Sequence, residues 1–264
     1  MTAPAWAAPA VARDTQEAAV EVRGLTKSFG RGAGAPAVLE DVDLRVEAGE
    51  FVCVLGSSGC GKSTLLNVLA GLEPPTRGEV RVLGRRSALV FQEPALFPWL
   101  TAIGNVELAL RLRGVARGRR RSEAERLLGL VRLSGAEDRR VHQLSGGMRQ
   151  RVALARALAQ ECQVLLMDEP FGALDAITRD VLHEELVRIW SETGLSIVFV
   201  THNVREAVRL GQRVVLLSSR PARVVREWQV DLDEFGRIES PAVARLSGEI
   251  TDRLREEISR HGGA

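Results

Sequence analysis

The chain has 264 residues, 45% of them hydrophobic, and 36 Lys plus Arg set against 34 Asp plus Glu for a net charge of +2. That is enough apolar material for one large packed domain or two small ones, and too mild a positive balance to argue for a nucleic-acid partner. No apolar run approaches the roughly 20 residues that cross a bilayer, and three cysteines at unpatterned spacing argue against a disulfide framework and fit a reducing cytoplasm. Residues 1–19, rich in Ala and Pro and without the apolar centre of a signal peptide, read as a disordered tail. Val20 to Gly30 alternates and reads as an edge strand, and Val38 to Val46 alternates again, closing a small antiparallel portion. Phe51 to Leu55 is a short apolar run, the pattern of a buried parallel strand, and Leu65 to Gly71 a helix ended by its glycine. Thr76 to Gly84 is a turn and a strand, and Ala88 to Phe91 a further apolar strand ending at Gln92.

From Glu93 to Leu144 the period becomes helical. Ala102 to Arg113 places Ile103, Val106 and Leu110 on one face. Ser122-Glu123-Ala124-Glu125 reads as a capping box that opens a helix running through Val131. Ser145 caps a helix from Gly146 to Gln160. Val164 to Asp168 is a continuous apolar run that ends in a carboxylate, and Thr178 to Glu192 is a helix with Leu182, Leu186 and Ile189 inward. Leu195 to Thr201 is a strand followed by His202, then a helix from Val204 to Leu210. Two strands, Arg213 to Leu217 and Ala222 to Val230, and an amphipathic helix from Ser240 to His261 complete the chain. Strands alternating with helices, plus a helical insertion, predict a doubly wound, mostly parallel α/β core with an inserted α-helical subdomain and an N-terminal antiparallel β portion.

The chemistry concentrates first at Gly56-Ser57-Ser58-Gly59-Cys60-Gly61-Lys62-Ser63-Thr64, which fits the phosphate-loop pattern GxxxxGK[ST] between a strand and a helix. Glycines let backbone N–H groups close on phosphate oxygens, and the helix N-terminus adds its dipole. Lys62 would reach the β- and γ-phosphates, and the Ser63 hydroxyl would ligate Mg²⁺. The chain has only two lysines, Lys27 and Lys62, and one stands where a compact point charge suits better than a planar fork. Cys60, beside a helix N-terminus, is expected to carry thiolate character, so that alkylation there blocks nucleotide. Asp168 ends a buried strand and can hold Mg²⁺; Glu169 follows it and can orient and polarise the attacking water. Gln92 also ends a strand, where it can touch metal and water, and taken alone it would be an ordinary surface glutamine. Ser145, Gly146 and Gly147 open a helix and so form a second anion site; a plain helix cap would have the same geometry.

Leu144-Ser145-Gly146-Gly147-Met148-Arg149-Gln150-Arg151, downstream of the phosphate loop and ahead of Val164-Leu165-Leu166-Met167-Asp168-Glu169-Pro170 and His202, resembles the signature of ATP-binding cassette ATPases. The resemblance spans about residues 20–230, with the helical subdomain at about 93–150 and residues 231–264 as a C-terminal helical extension. Phe91 to Thr101, Asp168 to Asp175 and Thr201 to Ala207 make it most similar to the ATPase subunits of bacterial importers for nitrate, sulfonate, taurine and related anions. The resemblance implies a phosphate-loop NTPase fold, ATP and Mg²⁺ as ligands, and ATP hydrolysis with Lys62, Gln92, Glu169 and His202 as catalytic residues. It assigns Ser63, Gln92 and Asp168 to the metal, His202 to the γ-phosphate, and Asp175 to holding Glu169 and His202. Phe29 is the candidate to stack on adenine where relatives often carry tyrosine; the chain has no tyrosine, and Phe29 is equally compatible with a core role. Segment Gly84 to Ala88 is shorter than the resemblance implies.

The resemblance also places the Ser145–Gly147 site against nucleotide held by a second copy of the chain. It implies an integral membrane permease as partner, received along Pro94 to Leu100, an indirect link to a substrate-binding protein, and a peripheral location on the cytoplasmic face of the inner membrane. Ten arginines against four acids between Arg111 and Arg140 read mainly as a solvated face, part of which could approach anionic lipid headgroups. The competing readings are the ATPase subunit of an exporter or lipid transporter, and a non-transport cassette ATPase acting on ribosomes or DNA. The latter usually shows paired cassettes, coiled coils or zinc cysteines, none of which this sequence carries.

Overall fold

The structure is a computed structural model that describes residues 18–30, 35–85, 87–230 and 240–261; of the proposed tail at 1–19, residues 1–17 lie outside them, whereas Ala18 and Ala19 open the first strand, Ala19 fully buried. The N-terminal antiparallel portion is a three-stranded sheet in the order β2-β1-β4, from β1 (Ala18–Ser28), β2 (Ala37–Glu47) and β4 (Arg77–Val82). The main sheet has six strands: β5 (Ser87–Val90), β6 (Val164–Asp168), β7 (Ser196–Thr201), β3 (Phe51–Leu55), β8 (Arg213–Leu217) and β9 (Val224–Gln229), in that spatial order. All its pairings are parallel except β8 with β9.

β1 is not the edge strand its alternation suggested. Val20 pairs with Val46 of β2 on one side and Val82 of β4 on the other. The partner that covers its second side arrives some 60 residues later, and periodicity in β1 carries no trace of it. The approach of β4 is close enough to require a particular residue. Gly78 has φ +86°, and a Cβ there would lie 2.4 Å from the Gly24 carbonyl oxygen.

β3 sits at the centre and is buried on both faces. Phe51, Cys53 and Leu55 face one core layer, and Val52 and Val54 the other. The two-residue period of a strand sends alternate side chains to opposite faces, so a strand covered twice must be apolar throughout. One layer contains α1 (Lys62–Leu69), whose Leu65, Leu66, Val68 and Leu69 pack between the two sheets. The other contains α2 (Ala102–Leu112), α3 (Arg117–Leu130), α4 (Gly146–Leu158), α5 (Ala176–Thr193) and α6 (Val204–Leu210). Helices α2, α3 and α4 enter the chain between β5 and β6, and of these α2 and α3 fall wholly within the helical insertion expected at about 93–150. Helix α7 (Pro241–His261) packs on α6 through buried residues that include Val243 and Ile250.

α3 starts at Arg117, before the proposed capping box. Ser122 lies inside the helix and its hydroxyl donates to the Arg119 carbonyl, three residues back. The arginines at 117 and 119–121 are good helix formers and extend the helix over the box, while Ser122 is absorbed by back-bonding. Among the described residues no helix is long and apolar enough to cross a membrane.

Candidate active site

β3 delivers the chain into the loop Gly56 to Gly61, and α1 departs from it. Gly61 is the N-cap of α1 at φ +129°, and a Cβ there would press on Val38 and Leu39 at 3.0–3.2 Å. Only glycine lets the backbone close over the helix start at this point. The result is a cleft of about 340 Å³ lined by Ser58, Gly59, Lys62, Ser63 and Thr64 on the loop side and by Gln92, Asp168 and Glu169 on the other. Val38 and Arg220 complete its wall. The strand order puts β7 between β3 and β6, and the carboxyl ends of these strands face the same crevice, the usual ligand position in an open α/β sheet.

Lys62 is 5% exposed. Its ammonium donates to the carbonyls of Gly56 and Ser57, both at 2.9 Å, and stands 3.5 Å from Glu169 Oε1. His202 Nδ1 lies 2.8 Å from the other Glu169 oxygen. The carboxylate is thus held between an ammonium from the phosphate loop and an imidazole from the end of β7. Its backbone is held too: Glu169 has φ +42° and its N–H donates to Val200 O at 3.0 Å. A non-glycine residue in that region is strained and persists only where its surroundings impose it.

Burial pushes the Asp168 carboxyl above its ordinary range, and a hydrogen bond from the Ser63 hydroxyl pulls in the opposite direction. Ser63, Asp168 and Gln92 all line the cleft, and each has a side-chain oxygen of the kind a hard cation such as Mg²⁺ takes. No group of three or more His, Cys, Asp or Glu suited to a metal occurs among the described residues.

Ser145 is the N-cap of α4, its hydroxyl accepting from Met148 N at 3.3 Å. A Cβ on Gly147 would lie 2.7 Å from Thr178 Cγ2, so α4 and α5 meet in close contact at their first turns. Ser145, Gly146 and Gly147 do not line the phosphate cleft of their own chain. The structure therefore brings together the phosphate loop, Gln92, Asp168, Glu169 and, through Glu169, His202, and leaves the Ser145 turn apart from them.

Phe29 is 49% exposed, so it does not fill the core. It follows Ser28, which pairs with Ala37 next to the cleft residue Val38, and the Lys27 ammonium lies 4.8 Å from its ring centre. Lys27 is anchored by Glu73 Oε2 at 2.8 Å and Pro74 O at 2.9 Å.

Two expectations need correction. Asp175 does not touch Glu169 or His202; it is the N-cap of α5, accepting from Thr178 N at 3.0 Å, and that bond holds its carboxyl below the usual range. Cys60 does not gain the thiolate character expected of it. It is 2% exposed among Val54 and Leu65, and burial raises its thiol, outweighing the Lys62 charge nearby. The loop turns its side chain down into the core; a Cβ on Gly56 would meet Cys60 Sγ at 2.8 Å. All three cysteines are buried and free. Maleimide labelling of the folded chain is accordingly expected to be at least about tenfold slower than that of the denatured chain. Labelling at the denatured rate would show the thiol to be accessible. An adduct at Cys60 should still abolish ATP binding, because the loop has no room for it.

Several supporting residues went unnoticed in the sequence. Gln150, on the buried stripe of α4 with Leu154 and Ala157, donates from Nε2 to Gln92 O at 2.9 Å. A polar residue on an apolar stripe was the available signal. Asn105 is fully buried in α2 and bonds Phe97 N, Phe97 O and Thr101 O. Arg156 reaches Ala95 O and Pro94 O. Beneath His202, buried Glu206 bonds His183 Nε2 at 2.7 Å and accepts from the Thr201 hydroxyl, which itself accepts from Asn203 N at 3.0 Å. Loop 94–101, pinned in this way, borders a groove of about 690 Å³ between the sheet and α2, with Phe91, Phe97, Leu108 and Leu112 on its walls. Trp99 is 67% exposed beside Phe97, ring centres 5.4 Å apart.

Residues 39–172 match the ABC transporter family. The taurine import ATP-binding protein TauB of Mesorhizobium japonicum is 47% identical over 240 residues, covering 85% of this chain and 93% of that protein. The nitrate import ATP-binding protein NrtD of Synechocystis sp. is 45% identical over 220 residues, 81% of this chain and 83% of that protein. The fold matches the dimeric cassette MJ0796 bound to ADP and Pi with a TM-score of 0.71 at 34% identity, over 80% of this chain and 99% of that one.

Proposed function

The chain belongs to the ABC transporter family as one of its ATP-binding, ATP-hydrolysing members, and from that premise we propose that it powers uptake of a small anion, of the taurine, nitrate or sulfonate kind, through a separate membrane permease. The observation that carries the catalytic part is the seating of Glu169 between His202 and Lys62, at the end of the strand that also presents Asp168 to the phosphate loop. Similarity to import ATPases for taurine and nitrate supports the cargo class.

In this reading Lys62 and the loop N–H groups hold the terminal phosphates. Ser63, Asp168 and Gln92 would hold Mg²⁺, which when bound would neutralise charge on the phosphate oxygens. Glu169 accepts a hydrogen bond from the attacking water and aligns it with the γ-phosphate. His202 fixes the Glu169 carboxylate and presents its other ring nitrogen to the phosphate. Phe29 stacks on the adenine by its ring face. The N–H groups that open α4 at Ser145, Gly146 and Gly147 lie outside the chain's own cleft, so they serve nucleotide held by a second copy; the dimeric state of the MJ0796 cassette supports this. The apolar groove beside Phe97 and Trp99 suits a short helix of the permease, which would place the chain at the cytoplasmic face of the membrane with a substrate-binding protein acting from the other side.

Proteoliposomes carrying the chain with its permease and binding protein test the proposal. ATP-dependent uptake of taurine, nitrate or an alkanesulfonate is expected, and uptake of none of them would overturn the cargo class. Trp99→Ala is expected to leave ATP affinity unchanged, since the residue stands clear of the nucleotide cleft, and to weaken co-purification with the permease about tenfold or more, as loss of an exposed aromatic anchor does. Undiminished co-purification would move the docking surface elsewhere.

A further inference from the structure

The wall of the phosphate cleft contains one charged residue that no motif accounts for. Arg220 lies in the connection between β8 and β9 and lines the cleft together with Val38, Ser58 and Gly59. β8 flanks β3 on the side opposite β7 and β6, so Arg220 approaches the phosphate loop from the side away from Asp168 and Glu169.

The connection that carries it is held firmly to the cleft wall. Ala222 N donates to Val38 O at 2.8 Å, and Glu40 N donates to Ala222 O at 3.0 Å. The Ser218 hydroxyl donates to Pro221 O at 3.0 Å and accepts from Arg223 N at 2.9 Å. The Ser219 hydroxyl donates to Glu257 O of α7 at 3.4 Å. Val38, to which the loop is stitched, is itself part of the cleft.

The neighbouring arginines show what is unusual here. Arg213 pairs with Glu50 at 2.8 Å and Glu227 at 2.7 Å, Arg223 with Glu40 at 2.9 Å, and Arg226 with Glu249 at 2.7 Å. Each is neutralised by a carboxylate. Arg220 is exposed and has no hydrogen bond or ion pair among the described residues. The unpaired cation of the set is the one that lines an anion site. The other cation of the cleft, Lys62, is already shared with Gly56 O, Ser57 O and Glu169, and two carboxylates stand opposite.

We propose that Arg220 is a further phosphate-binding residue, whose guanidinium contacts the triphosphate of a bound nucleotide from the β8–β9 side. The proposal rests on the nucleotide-binding reading of the cleft. A guanidinium offers several donors in a planar fork suited to phosphate oxygens, and it costs nothing to release from a partner it does not have.

The test is the affinity of the full chain for a fluorescent ATP analogue, with displacement by inorganic tripolyphosphate and by adenosine. Arg220→Ala is expected to weaken ATP and tripolyphosphate about tenfold and to leave adenosine unchanged, with an unaltered melting temperature because the side chain is exposed and unpartnered. Arg220→Lys should recover part of the loss, and the difference should shrink at high salt. Lys62→Ala serves as the reference. If the parent binds ATP, Lys62→Ala loses it and Arg220→Ala binds as the parent does, Arg220 is excluded while the cleft reading stands. If the parent binds neither ATP nor tripolyphosphate, both fall. Equal weakening of adenosine and tripolyphosphate would also overturn the proposal, since it would show a general disturbance of the pocket.

Discussion

Glu169→Gln is expected to lower ATP turnover about a thousandfold, within the range lost with a positioned base, while nucleotide still binds. The amide keeps the shape of the carboxylate and can still meet His202 Nδ1, now 2.8 Å from a Glu169 oxygen. It cannot hold the attacking water with a negative charge. Lys62 loses the carboxylate 3.5 Å away but keeps its bonds to Gly56 O and Ser57 O. Removing one negative charge beside a polyanionic triphosphate also favours binding. The variant should therefore accumulate as an ATP-bound pair that the parent forms only transiently. Phosphate release measures the first effect, and size exclusion in ATP against ADP measures the second. Turnover at the parent's rate would remove Glu169 from the mechanism. Loss of turnover without the ATP-dependent pair would separate the residue's chemistry from the assembly assigned to the Ser145 turn.

Lys62→Ala is expected to weaken ATP binding by roughly two orders of magnitude, the scale of losing more than one charge-assisted hydrogen bond. The ammonium is buried in the cleft, whereas the cleft's other cation, Arg220, is exposed and lines it from the β8–β9 side. Removal of the ammonium also leaves the Glu169 carboxylate with His202 as its remaining side-chain partner, so the carboxylate loses alignment as well. Lys62→Arg should not restore affinity, because a planar fork does not fit a space shaped for an ammonium between two carbonyls. Equilibrium binding of ATP reads this directly, and a loss of less than about threefold would show that the loop N–H groups suffice for the phosphates without the lysine.

Much of this site was legible in one dimension because its parts are local. The phosphate loop is nine consecutive residues, Gly56 to Thr64, between a strand and a helix. Phe51–Leu55 and Val164–Asp168 read as buried strands because both faces of each are covered, and a doubly covered strand shows as an unbroken apolar run. Helix α6 was legible to the residue, Val204 to Leu210, since Asn203 caps it and a glycine follows. Other features failed for physical reasons. The position of β1 depends on β4, which contributes nothing to the pattern of β1 itself. The proximity of a helix N-terminus argued for a reactive Cys60, but the thiol points into the core, and desolvation outweighs the nearby charge. Asp175 could as well have braced Glu169; the turn into α5 instead uses it as a cap.

From its order of residues alone this protein was committed to a phosphate loop, a strand ending in adjacent carboxylates, and a helix capped by Ser145, because each depends on neighbours along the chain. Only the tertiary structure decided that Glu169 lies between Lys62 and His202, that Gln150 holds Gln92, and that an unpaired Arg220 joins the phosphate wall. Those relations join segments tens of residues apart, and the packing of the sheet, not any local preference of the backbone, sets which side chains meet.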